Sequence, residues 1–441
     1  MTSHRPYLYT AGLIAIGALF MLGAIEFNRD TFKIDQDRFA LIDTHYQSAQ
    51  DAGEMPGARA VIFQGDKVIY ERNWGYQNIA SKTPIQDDTI FHLFSMTKPI
   101  TSVAVMILFE EGKLLLHEPI AKYIPELANL RVYDPAGTGN PPTRAAKRQP
   151  TISDFMKHTS GVTYGVFDGS PVGAYYRQNK VDPDPTTDLQ EFVRRLGQAP
   201  LAFEPGAYWN YGVSTDVLGR LVEVVSGQKF SVFLQERLFD PLKMVDTSFH
   251  YKQESRDRVA TIYAPEGVPA KLATQGFRAK ATGPGLEPLT QNMLTSYEPE
   301  TKMESGGGGL ISTTADYLRF ARMLLNGGSL DGQRILSPMT VNLMRRDAMG
   351  GTEPRARLTA IAVGKGIGFG HGFGMITNQA MAGVALPDNS FFWGGAAGTF
   401  FWVDPDNQLI GMFMTQILPH RTTLRQDIWP LTYQAVYQTR P

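Results

Sequence analysis

Apolar residues recur at helical spacing between residues 36 and 52, at Phe39, Leu41, Ile42 and Tyr46, with His45 on the same stretch. The pattern then changes. Ala58–Phe63 and Lys67–Trp74 alternate or run apolar on either side of Gly65-Asp66, which predicts a β-hairpin. The far end of the chain reads the same way. Ser390–Trp393, Thr399–Val403 and Gln408–Thr415 are strand-like, with Asp404-Pro405-Asp406-Asn407 as the turn between the last two, and a helix is expected from Arg425 to Tyr437. Between these ends the spacing is helical, over 99–112, 151–158, 187–197, 214–226, 230–238 and 314–326. Strands, then helices, then strands predict an α/β (α+β) fold. In it, one sheet lobe (about 35–94 and 305–441) is built from both ends of the chain, and a mainly helical lobe (about 95–304) is inserted between them. Two stretches lack periodicity and are rich in Pro and Gly, Val132–Pro150 and 264–304, and read as long loops. Gly306–Gly309 has no phosphate-binding pattern around it and reads as close backbone packing or a mobile turn.

Composition narrows the class. The 441 residues are 43% hydrophobic and 19% charged, with a formal net charge of −1 and no run of more than two adjacent basic residues. A nucleic-acid partner is therefore not expected. The chain has no cysteine, which removes disulfides, thiolate nucleophiles and thiolate-ligated metals together. Pro6–Ile25 carries no charge and is about the length of a bilayer-crossing helix. Leu22-Gly23-Ala24 places a leucine where a signal peptidase prefers a small residue. An N-terminal segment (1–30) acting as an uncleaved anchor is thus expected over a cleaved signal, ahead of one domain over 31–441.

The candidate chemistry begins at Ser95-Met96-Thr97-Lys98, just before a strongly apolar helical stretch. Positions i and i+3 share a helix face, so the Lys98 amine lies near the Ser95 hydroxyl. A desolvated lysine can take a serine's proton, and the backbone N–H groups at a helix start can help hold an oxyanion. Three more segments keep this one company: Phe203-Glu204-Pro205-Gly206 leading to Trp209-Asn210-Tyr211-Gly212-Val213, Trp393-Gly394-Gly395-Ala396-Ala397-Gly398-Thr399 between two strands, and His158-Thr159-Ser160-Gly161 closing a short helix.

With these motifs in this order, residues 35 to 435 resemble the serine β-lactamase and penicillin-binding protein group in its class C branch. The closest likeness is to family VIII carboxylesterases and related acyltransferases. The resemblance implies a β-lactamase/transpeptidase-like fold, an antiparallel sheet flanked by helices. It implies Ser95 as acylated nucleophile, Lys98 as its activating amine and Tyr211 as the phenol that relays the proton. It implies an oxyanion hole from the backbone N–H groups of Ser95 and Ala396, with Trp393-Gly394-Gly395 on the edge strand. A cationic Lys98 is expected to ease ionisation of Tyr211. It also implies a catalytic body outside the cytoplasmic membrane.

Two departures bear on substrate. Val213 stands where β-lactamases carry an asparagine, and Trp393 where they carry a basic residue. Both polar handles for an anionic amide are lost, so a neutral small-molecule ester is the expected substrate, with Trp209, Tyr175, Tyr176 and Phe400 extending an aromatic wall. A cationic anchor, if one exists, is expected from Lys157 or the Arg144–Arg148 loop. The alternatives are a D-Ala-D-Ala carboxypeptidase or β-lactamase, and a penicillin-binding-like module without turnover. A Gly-x-Ser-x-Gly elbow is absent, and the eight histidines have no metal-ligand spacing, so neither a metal nor another cofactor is expected.

Overall fold

The computed structural model describes residues 32–267, 285–289, 298, 301–354, 364–419 and 422–438. The expected anchor at Pro6–Ile25 lies outside the described residues. Among the described residues no helix is long and apolar enough to cross a membrane.

Helix α1 (Gln36–Asp51) starts at an Asp35 cap, whose carboxylate accepts the Asp37 N–H. The predicted hairpin follows as β1 (Gly57–Gln64) and β2 (Lys67–Asn78), and β3 (Thr83–Pro84) extends it. From the C-terminal half come β4 (Ile367–Phe369), β5 (Gly374–Ile376), β6 (Phe391–Gly394), β7 (Phe400–Asp404) and β8 (Leu409–Thr415). These strands form one antiparallel sheet in the order β4-β5-β6-β7-β8-β1-β2-β3. The two ends of the chain meet where β8 pairs with β1, from Leu409 opposite Gln64 to Thr415 opposite Ala58. The sheet lobe is therefore assembled from both ends, as the strand pattern predicts.

Both faces of the sheet are covered, which is why β1 and β8 are buried along their whole length and read as apolar runs. One face packs Phe39, Ile42 and Tyr46 of α1, with Ile428 and Trp429, against Ala60, Ile62, Trp402 and Phe413. The other sets Ile410, Met412 and Met414 against Tyr317 and Phe320 of the helix Thr314–Leu325, and against α2 (Thr97–Glu110). Residues 97 to 108 of α2 are buried all round, as an apolar stretch with no polar face requires. The helix Ser214–Ser226 matches its predicted range and packs on α2 inside the helical lobe.

Three expectations change. Arg425–Tyr437 is not one helix but Thr422–Gln426 and Ile428–Tyr433, followed by a strand Val436–Gln438 that pairs with Phe32–Ile34. Pro430 cannot donate to a helical ladder, and the N-terminal strand offers the backbone beyond it an alternative partner. Val132–Pro150 contains an irregular hairpin, Arg131–Thr138 on Thr143–Ala145, whose register shifts between Tyr133 and Thr138. Its prolines and glycines hide the strand period. In 264–304 the strands Tyr263–Pro265 and Leu286–Pro288 pair, and most of the rest lies outside the described residues.

Candidate active site

Ser95 lies in a single 3₁₀ turn, Phe94–Met96, that runs into α2. Phe94, immediately before it, has φ +47°, a left-handed conformation that costs a bulky residue energy and persists only when its surroundings enforce it. Here they do: Phe94 is buried, Met96 N–H bonds the Leu93 carbonyl at 3.1 Å, and Tyr317 OH bonds the Met96 carbonyl at 2.9 Å. The Ser95 side chain caps no helical N–H. Its hydroxyl instead meets Tyr211 OH at 2.5 Å and Lys98 Nζ at 3.3 Å. The three expected residues come together on one oxygen.

Lys98 is 2% exposed. Besides Ser95 it bonds Tyr164 OH at 3.0 Å and the Gly307 carbonyl at 2.5 Å, and its ammonium lies 4.7 Å from the Tyr211 ring centroid. The Gly306–Gly309 turn is thus close packing against the nucleophile's helix, tied there also by Thr101 Oγ1 to the Gly306 carbonyl at 2.8 Å. Tyr211 is fixed by a stack of rings behind it. Trp209 lies nearly parallel at 6.2 Å, and His158 and Trp393 are tilted at 5.0 and 5.7 Å. His158 is a buried wedge at φ +57°, and burial first and the nearby Lys98 charge second push its pKa well below the ordinary value.

The Trp393 segment approaches from the sheet. Strand β6 is internal, not an edge, since it pairs with both β5 and β7. Pairing with β5 ends at Phe392, however, so the Trp393-Gly394 end leaves the ladder on that side. The following turn closes by Gly395 N–H to the Thr399 carbonyl at 2.7 Å and leans on the nucleophile, with Thr399 Oγ1 donating to the Leu93 carbonyl at 3.0 Å. A Cβ on Gly395 would fall 2.2 Å from that same carbonyl, so only glycine permits the approach. Ala396, next in the chain, packs on the cluster that holds Phe94. Ser95, Tyr211, Gly394 and Ala396 are each partly exposed amid buried neighbours.

The expected aromatic wall is mostly core. Trp209 and Tyr176 are fully buried, Phe400 packs on the far face of the sheet, and Tyr175 bonds the Gln198 carbonyl. Trp393 is 6% exposed and backs Tyr211 more than it lines an opening. Val213 is buried and brings no amide to the site. The suspected cationic anchors are engaged elsewhere: Lys157 with the Ala348 carbonyl, Arg144 with Asp134 and Glu204, Arg148 with Asp154. A different cation lies near the third motif. Arg425 lies 5.1 Å from the Phe400 ring centroid, and a Cβ built on Gly394 would come within 2.6 Å of its Nη1. Burial lowers its pKa to about 10, with the Tyr211 phenol acting in the opposite sense. Sequence reasoning missed Arg425, Tyr164 and Asp216, none of which stands in a motif with chemical spacing. The glycine run was the one visible signal for that corner.

A family model described as Beta-lactamase matches residues 42–430. The chain belongs to the beta-lactamase family. Protein Rv1367c of Mycobacterium tuberculosis is 33% identical over 373 residues, covering 84% of this chain and 88% of that one. Esterase EstB of Burkholderia gladioli is 29% identical over 398 residues, covering 86% and 91%. Among solved structures, EstCE1, described as a hydrolase with promiscuous acyltransferase activity, aligns with a TM-score of 0.73 at 24% identity, over 90% of this chain and 99% of that one. The fold is the β-lactamase/transpeptidase-like one expected from the motifs.

Proposed function

We propose that this family member is a serine esterase that forms an acyl-enzyme on Ser95. The observation that carries the reading is the meeting of Tyr211 OH and Lys98 Nζ on the Ser95 hydroxyl, at 2.5 and 3.3 Å. Ser95 Oγ attacks the ester carbonyl as its proton passes into the Lys98–Tyr211 pair. The carbonyl oxygen becomes an oxyanion facing the N–H groups of Ser95 and Ala396. Collapse breaks the ester C–O bond, and the departing alkoxide takes a proton from Tyr211. Water or an alcohol then attacks the acyl group, loses its proton to the same relay and restores Ser95. The similarity to an esterase supports hydrolysis, and the likeness to a hydrolase with acyltransferase activity leaves an alcohol acceptor open.

A second reading, a β-lactamase or carboxypeptidase acting on an anionic amide, is favoured by one observation, the guanidinium of Arg425 against Gly394. The two readings separate on the ratio of kcat/KM for a short nitrophenyl ester to that for a chromogenic cephalosporin. The ester is expected to win in wild type. Trp393→Lys is expected to move the ratio toward the cephalosporin by supplying a charge-assisted hydrogen bond, worth roughly 1.5–3 kcal/mol where the geometry allows it. It should also slow the ester, because Trp393 supports the Tyr211 ring. A wild type that prefers the cephalosporin, and loses that preference on Arg425→Ala, would hand the site to the second reading. Fluorophosphonate labelling with peptide mapping tests the nucleophile itself, since a label anywhere but Ser95 contradicts the proposal.

A further inference from the structure

The Lys98 ammonium is buried, yet its three described hydrogen-bond partners, Ser95 Oγ, Tyr164 OH and the Gly307 carbonyl, are all uncharged. A buried cation held by neutral dipoles alone is costly and tends to shed its proton. A carboxylate stands one residue behind those dipoles. Asp216 is 0% exposed, in the first turn of the helix Ser214–Ser226 and five residues beyond Tyr211. Its Oδ1 accepts from Ser305 Oγ at 2.5 Å and from the Gly307 N–H at 3.0 Å. Gly307 is therefore gripped at both ends, its N–H by Asp216 and its carbonyl by Lys98. Asp216 Oδ2 has no hydrogen-bond partner among the described residues and faces the same glycine. A Cβ at Gly307 would lie 2.4 Å from that oxygen and 2.9 Å from Tyr164 OH, so carboxylate, phenol and Cα share one tight space.

We propose that Asp216 is the positioning residue of the Ser95–Lys98–Tyr211 relay. Ionised, it clamps the glycine turn so that the Gly307 carbonyl stays on Lys98, and its charge is the counter-ion of the ammonium. It touches no reacting atom. The inference rests on the relay proposed above.

On balance burial leaves the Asp216 carboxyl above its ordinary pKa, with the Lys98 charge and the bonds from Ser305 and Gly307 acting in the opposite sense. Tyr164 is pushed well up by burial and then by the Asp216 charge. Asp182, which accepts the Gly165 N–H at 2.8 Å, is raised to about 6, by burial first and with Asp216 contributing. The groups facing Asp216 are thus Lys98 from α2, Tyr164 and Asp182 from the loops after His158, and Tyr211 beyond Tyr164. Deleting a buried negative charge disfavours a nearby cation and favours a nearby anion, so the pH profile of the enzyme is expected to respond.

Asp216→Asn keeps the shape and an oxygen able to accept from Ser305 and Gly307 while removing the charge. For a nitrophenyl ester its kcat is expected to fall about tenfold, with KM little changed. Both limbs of its kcat/KM profile are expected to move to lower pH by about one unit. Ser305→Ala keeps the charge and loses one grip, so kcat should fall about threefold with the limbs unmoved. A folded Asp216→Asn protein with wild-type kcat and wild-type limbs overturns the inference. If Asp216→Asn does not fold, Ser305→Ala decides: unchanged kcat rejects the clamp and reduced kcat supports it. Failure of the underlying relay reads out separately, as turnover retained by Ser95→Ala.

Discussion

Ser95→Ala is expected to bring hydrolysis of a short nitrophenyl ester down to the uncatalysed background while the protein stays folded. The expectation follows from what the hydroxyl does and does not touch. Its partners are Tyr211 OH and Lys98 Nζ, and it caps no backbone N–H, so the ordinary cost of deleting a capping serine does not arise. The strained residue of the turn is Phe94, whose side chain and packing are unchanged. What is lost is the oxygen on which both relay groups converge. Turnover, melting temperature and fluorophosphonate labelling measured together decide the matter. A folded Ser95→Ala protein that still hydrolyses the ester would sink the assignment of the whole site.

The relay carries the second large effect. Lys98→Ala and Tyr211→Phe are each expected to lower kcat by about two orders of magnitude or more. The double variant should lose little beyond the worse single one, because groups acting on one proton are not additive. Tyr211→Phe keeps the ring between Trp209, His158 and Trp393, so its loss reports the hydroxyl alone. Lys98→Ala is less clean. It strands the Gly307 carbonyl and Tyr164 OH in a buried corner, each worth about 1–3 kcal/mol if unsatisfied, so its kinetics belong well below its melting temperature. Losses that multiply in the double variant would show that Lys98 and Tyr211 do separate jobs.

Much of this molecule is legible in the chain itself. Elements with a strong period came through close to their ends: α1, the β1–β2 hairpin, the helix Ser214–Ser226 and the strand pair β7–β8. The Ser-x-x-Lys spacing needed only one helical turn to bring Lys98 to Ser95, so that contact is local and readable. Period and local spacing determine which residues form an element and which side chains share its face, because both depend on neighbours three or four positions away.

Contacts across long separations were decided by the tertiary structure. Tyr211 reaches Ser95 across 116 positions, and Gly307 reaches Lys98 across 209. Nothing in the local pattern marked Asp216 or Arg425, whose significance comes from what the fold sets beside them. Aromatic residues were the commonest misreading: Trp209, Tyr176 and Phe400 look the same in sequence whether they line a pocket or fill a core, and burial alone told them apart. The strand Val436–Gln438 was likewise settled by its partner Phe32–Ile34 at the opposite end of the chain. Sequence by itself determined the strongly periodic elements and marked Ser95, Lys98 and Tyr211 as the candidate trio. The fold determined the electrostatic setting of that trio, since charge and burial are properties of what surrounds a residue and not of its own place in the chain.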